Sequence, residues 1–153
     1  MEALKERKLT LAVAEGDTGG LLLAQLTAVP GSSAVVLGGV VAYHDDLKRG
    51  VLHVSDAVVQ AYGAVSAEAA EAMARGIRQV TGAAIGVATT GIAGPGGATP
   101  TKPVGLAYVA VVHRDRVVVR DYHWMGDRHA NRQSSVNAAV ALLDEILEKS
   151  VTT

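Results

Sequence analysis

Hydrophobic positions along the chain fall into short runs separated by turn residues, and the period of each run predicts an element. Residues 9–14 (LTLAVA) form an uninterrupted apolar run closed by Glu15 and a glycine turn, which predicts a buried strand leading into a helix over 19–29. Pro30-Gly31 stops that helix, and the Val-rich segment 34–43 predicts a second strand whose Gly38-Gly39 pair marks a bulge or a close backbone approach. Residues 44–49 are polar and predict one helical turn, and Ser55-Asp56 caps a short helix to about Tyr62. Ser66 caps a longer one, AEAAEAMARGIRQV, in which Ala, Met and Ile recur at helical spacing until Gly82 ends it. A third strand is expected over 83–90. It is followed by GIAGPGGATPTKPVG, residues 91–105, which holds five Gly and three Pro in one loop. Residues 106–112 and 116–122 flank HRDR and predict an antiparallel hairpin, and from Asp127 apolar residues repeat at three and four through a last helix.

A strand-helix-strand start followed by a hairpin predicts a single three-layer α/β/α domain with a mixed sheet, covering residues 1–153 with 1–8 as a short N-terminal extension. Composition agrees: 49% hydrophobic residues but no Phe leaves Val, Leu, Ile and Ala to fill a core, as suits strands packed closely on helices. A formal net charge of -1 supplies no positive field for DNA or RNA, so nucleic acid is not an expected partner. The absence of Cys excludes disulfides, thiolate metal sites and thiol catalysis. Its five histidines show no metal-ligand spacing, so neither metal nor cofactor is expected. A charged N-terminus and the lack of a long apolar run exclude a membrane span and make a soluble cytoplasmic protein the expectation.

Four segments can carry chemistry. In E-G-D-T-G-G (residues 15–20) a strand, a glycine turn and a helix start aim backbone N–H groups at one spot, which suits an anion; equally, the turn is structural, with Asp17 or Thr18 as helix cap. In P-G-S-S (residues 30–33) a hydroxyl has no nearby His, but a Lys can act as base, so Ser33, Tyr43 and Lys48 form a candidate set if the chain folds back; otherwise the serines serve a turn and Lys48 is solvated. The glycine-rich stretch after Thr90 lets backbone approach a ligand at the carboxyl end of a strand, where α/β sheets bind ligands. Arg128 and Arg132 lie four apart on one face at a helix start, where positive charge opposes the dipole unless it meets a phosphate; the alternative is a surface pair with Asp127.

Taken in order, A-E-x-x-T-G-G, P-G-S-S-x(5)-G-G-V-V-x-Y-x(4)-K, G-A-V-S-x-E, and T-G-I-A-G-P-G-G-x-T-P-x-K-P-V-G followed by G-D-R-x-x-x-R resemble the CinA C-terminal domain, whose stand-alone form is nicotinamide mononucleotide deamidase. The resemblance implies a cofactor-free amidohydrolase that releases ammonia from the nicotinamide amide. By position it makes Ser33 the nucleophile, with Ser32 as fallback and Tyr43 and Lys48 moving the proton. It places Thr90, Gly91, Gly94, Gly96 and Gly97 around pyridine and ribose, and Arg128 or Arg132 at the phosphate. The turn Thr18, Gly19 and Gly20 is a candidate for the required oxyanion hole. The resemblance and the apolar composition together imply a homo-oligomer, a dimer being favoured, and the larger N-terminal domain that often precedes this one in the family is not in the sequence. Two departures matter. Where family members read A-E-S-C-T-G-G, Gly16 and Asp17 stand for the Ser-Cys pair, removing a hydroxyl and adding a carboxylate that would repel an anion; where they read Y-S-N-E-A-K, this chain has Y-H-D-D-L-K. The alternatives are therefore a mononucleotide-binding paralogue without turnover, or an amidase with a shifted substrate.

Overall fold

A computed structural model of the protein describes residues 1–149; the last four residues of the expected domain lie outside the described span. The elements are α1 (Glu2–Glu6), β1 (Leu11–Glu15), α2 (Leu21–Thr27), a 3-10 turn (Ser32–Ala34), β2 (Val36–Val41), α3 (Asp45–Gly50), α4 (Asp56–Tyr62), α5 (Ala67–Thr81), β3 (Ile85–Gly91), β4 (Leu106–His113), β5 (Arg116–His123) and α6 (Arg128–Lys149). One five-stranded sheet runs in the order β2-β1-β3-β4-β5. β2, β1 and β3 are parallel, and β4 and β5 join antiparallel, so the sheet is mixed as expected.

Two apolar layers sandwich the sheet. Leu11, Val13, Ile85 and Val87 face α2 and α6, meeting Leu22, Val136, Leu142 and Ile146. The alternate residues Ala12, Ala14 and Ala88 face α5, meeting Met73, Ala74 and Ile77. Covered on both faces, β1 is buried along its whole length, which is why it reads as an uninterrupted apolar run. Residues 1–8 are more than an extension, because α1 buries Leu4 in the α2–α6 layer.

Local signals act as their chemistry dictates. Ser66 Oγ accepts the Ala69 N–H at 3.1 Å, Ser55 Oγ accepts that of Val58, and Gly82 leaves α5 at φ 72. The Gly38-Gly39 pair serves β1 rather than a ligand. The register slips by one residue at Leu37, and a Cβ on Gly39 would stand 2.6 Å from Val13 Cγ2. The chain leaves β1 toward β2 on one side and reaches β3 on the other, and a crevice opens beyond the carboxyl ends of these strands.

Candidate functional site

The crevice is a cavity of ≈ 320 Å³, within the range of small-molecule sites. Gly16 follows β1, Tyr43 and Lys48 follow β2, and Thr90 and Gly91 end β3; Ala64-Val65, the glycine loop on to Gly97 and Arg128 complete the lining. The structure thus gathers Tyr43, Lys48, Thr90, Gly91, Gly94, Gly96, Gly97 and Arg128 of the expected residues.

Each polar side chain there has a defined partner. Lys48 is 4% exposed; its Nζ donates to Asp45 Oδ1 at 3.1 Å and to the Tyr43 carbonyl at 3.5 Å. Arg128 donates to the Gly94 carbonyl at 2.8 Å and to the Tyr43 hydroxyl at 3.0 Å, which ties α6 to the glycine loop and to the end of β2. Thr90 Oγ1 donates to the Ala64 carbonyl at 2.7 Å. Both cations keep N–H groups beyond those already engaged, since a guanidinium carries five and an ammonium three.

Six expected residues lie elsewhere, each for a physical reason. Ser33 and Ser32 precede β2 whereas Tyr43 follows it, and a six-residue strand separates its ends by about 20 Å. Ser33 is exposed at the far end of the sheet, and Ser32 is buried with its hydroxyl toward the Thr27 carbonyl. Within one chain the set Ser33, Tyr43 and Lys48 therefore does not assemble. The turn Thr18, Gly19 and Gly20 is likewise not an open anion cradle, because Glu15 occupies it. Its carboxylate, 1% exposed, accepts the N–H groups of Gly20, Leu22 and Leu23 and the Thr18 hydroxyl, so it caps α2 from the end of β1. Arg132 completes the same turn, donating to the carbonyls of Asp17 (3.1 Å) and Thr18 (3.0 Å) and packing over Gly19. The helix-start arginines thus answer carbonyls, and Asp127 caps α6 through the Ala130 N–H instead of pairing with either.

Asp17 is buried and lines the cavity, with one carboxylate oxygen held within the protein and Oδ1 left without a hydrogen-bond partner among the described residues. Oδ2 accepts the Ser135 hydroxyl at 3.0 Å, and Ser135 Oγ accepts the Trp124 indole N–H at 3.0 Å. Burial raises the pKa of this carboxyl above its ordinary value, and the Ser135 hydrogen bond offsets part of the effect. A folded-state value above the unfolded one means that protonation favours the fold. The stability Asp17 contributes is full below the unfolded value of about 4 and is lost as pH rises through the folded value. Asp17→Asn, which keeps the shape without the charge, is therefore expected to raise stability at pH 7 by on the order of 1 kcal/mol, with the gain shrinking toward pH 4. Thermal unfolding followed by circular dichroism at both pH values checks this; an equal gain at both would assign it to something other than charge.

Comparison with known proteins places this arrangement. The sequence model of the CinA C-terminal domain matches residues 1–147. A CinA-like protein of Thermotoga maritima is 44% identical over 145 residues, which are 95% of this chain and 35% of that protein; the chain spans about a third of the length of the curated relatives it matches. Among solved structures, a competence/damage inducible protein from Agrobacterium tumefaciens superposes with a TM-score of 0.92 at 38% identity, covering 96% of this chain and 90% of that one. A CinA superfamily protein from Klebsiella pneumoniae gives 0.93 at 34% identity, covering 97% and 92%. With its fold, its four motifs and nearly its whole length accounted for, the chain belongs to the CinA C-terminal domain family.

Proposed function

We propose that this domain binds a pyridine mononucleotide in the cavity beside Lys48 and Thr90 and does not hydrolyse it by a serine mechanism. One observation carries the reading: among the described residues none that lines the cavity is serine, and Gly16 lies there at the position where family members read serine. The remaining equipment suits the ligand. Lys48 and Arg128 offer positive charge to a phosphate, the backbone of Gly91 to Gly97 allows a ring close approach, and Val65 and Ile92 supply apolar surface. Asp17 also lines the cavity, with Oδ2 held by the Ser135 hydroxyl.

Calorimetric titration of purified protein with nicotinamide mononucleotide, run beside an ammonia assay, tests this. Binding is expected without ammonia above the buffer blank. Arg128→Ala and Lys48→Met are each expected to weaken binding by about tenfold or more, the loss of one charge-assisted contact. Release of ammonia by the wild type that disappears in Lys48→Met would overturn the reading in favour of the deamidase, and no binding at all would discard both. An amidase with a shifted substrate is the second reading, favoured by Thr90, the one hydroxyl-bearing aliphatic side chain among the described lining residues; ammonia from other small amides, abolished in Thr90→Val, would establish it.

A further inference from the structure

Lys102, in the T-P-x-K-P-V-G block, is not among the ligand contacts proposed above, yet its side chain reaches the segment that carries Ala64 and Val65 of the cavity lining. Its Nζ donates to the Tyr62 carbonyl and, at 2.6 Å, to the Val65 carbonyl. These belong to the last turn of α4 and the connection to α5, where exposed carbonyls favour a cation. Gly63 makes room: a Cβ there would stand 2.7 Å from Nζ. The base of the strut is pinned within its own loop, since the Thr99 N–H donates to the Lys102 carbonyl at 2.9 Å and Thr99 Oγ1 accepts the Lys102 N–H at 3.1 Å. The same connection is held on its other side by Thr90 Oγ1 at the Ala64 carbonyl. Among the described residues Lys102 forms no ion pair, so its charge is spent on these carbonyls.

The 91–105 loop has five glycines and much conformational freedom to lose. Ala64 and Val65 line the cavity together with Gly94, Gly96 and Gly97, and Lys102 joins the two segments. We infer that Lys102 is a positioning residue, an ammonium strut that fixes the glycine loop at the spacing the mononucleotide requires. It touches no ligand itself. Without it the ligand would have to order the loop, and affinity would fall by that cost.

The inference rests on the proposed ligand, but its test has an arm that does not. The chain has no cysteine, so Lys102→Cys places a single thiol at this position. Alkylation with 2-bromoethylamine rebuilds a side chain of lysine length with its ammonium, and bromoethane adds the same two carbons without the charge. The readouts are hydrogen–deuterium exchange of residues 94–105 in the free protein and the Kd for nicotinamide mononucleotide, with unchanged exchange in β1 and α5 showing that the fold is intact. We expect Lys102→Cys to exchange faster in this loop and to bind about tenfold more weakly. The aminoethylated form should recover both properties, and the ethylated form neither. Unchanged loop exchange in Lys102→Cys, or equal recovery by both adducts, overturns the strut. If the wild type binds no mononucleotide, the ligand reading fails while the exchange arm still decides whether the ammonium orders the loop.

Discussion

Gly16→Ser is expected to give the protein an ammonia-releasing activity on nicotinamide mononucleotide that the wild type lacks. Gly16 does not have the left-handed backbone that excludes side chains, and the space for one is nearly there. A Cβ would stand 3.1 Å from the Thr89 carbonyl oxygen, 3.4 Å from Thr90 Cα and 3.6 Å from Thr90 Oγ1, so a shift of a few tenths of an ångström admits it. Its hydroxyl would share the cavity with Lys48 and Tyr43, the groups able to take its proton, which Ser33 cannot reach. Asp45 stands in the way of full recovery, because its carboxylate holds the Lys48 ammonium at 3.1 Å where family members carry asparagine. The double variant Gly16→Ser with Asp45→Asn should therefore outperform the single one, and adding Lys48→Met should abolish the gain, a loss on the order of 10²-fold for a positioned proton acceptor. Ammonia measured under single-turnover and steady-state conditions gives the answer. If both serine variants bind the mononucleotide as tightly as the wild type yet release nothing, the missing hydroxyl is not what separates this cavity from a catalytic one.

The local parts of this architecture were legible from the residues, and the long-range parts were not. Caps such as Ser66 and Gly82 act within one turn, and the hairpin around residues 113–116 is fixed by alternation and a tight turn, so these elements stand where the pattern puts them. The crevice followed from the glycine loop after Thr90, a sequence that only a ligand or a close backbone contact explains. Ser33 shows what was lost. Its neighbours in sequence are the neighbours of a site, but β2 is parallel to β1 and is entered at the end of the sheet remote from the cavity. Strand direction, which follows from pairing partners rather than from the strand's own residues, decided the matter. Glu15 shows the complementary failure. An acidic residue before a glycine turn and a helix start is a capping signal, but a reading that treats the turn as an open anion cradle assigns the same N–H groups to a ligand. Arg132 lies on the expected face of α6, and only the folded chain brings the carbonyls of Asp17 and Thr18 to it.

The close approach of α5 to the sheet makes Gly86→Ala a strongly damaging small substitution in the core. Gly86 lies in β3, in the middle of the sheet, and its backbone is ordinary for a strand, so the constraint is space. A Cβ there would overlap the Ala74 carbonyl oxygen of α5 and approach Arg78 Cγ to 2.8 Å. Arg78 can swing aside, but the helix backbone moves only if α5 lifts as a body and opens the layer built on Met73, Ala74 and Ile77. Overpacking of a close-packed core costs about 1–3 kcal/mol where side chains can yield, and against the helix backbone at Ala74 the cost should reach the top of that range or exceed it. For a domain of this size that corresponds to a fall in Tm of roughly 6–12 °C. Gly50→Ala is the control, since nothing lies within 4 Å of a Cβ on that helical residue; it should leave stability unchanged or raise it by about 0.5 kcal/mol. Urea unfolding of both variants gives the comparison, and a Gly86→Ala protein within about 0.5 kcal/mol of wild type would mean that α5 can separate from the sheet at little cost. Because α5 begins directly after Ala64 and Val65, a lifted helix would carry that wall away from Thr90. Mononucleotide affinity should then fall in Gly86→Ala even where the protein remains folded, though residue 86 does not line the cavity.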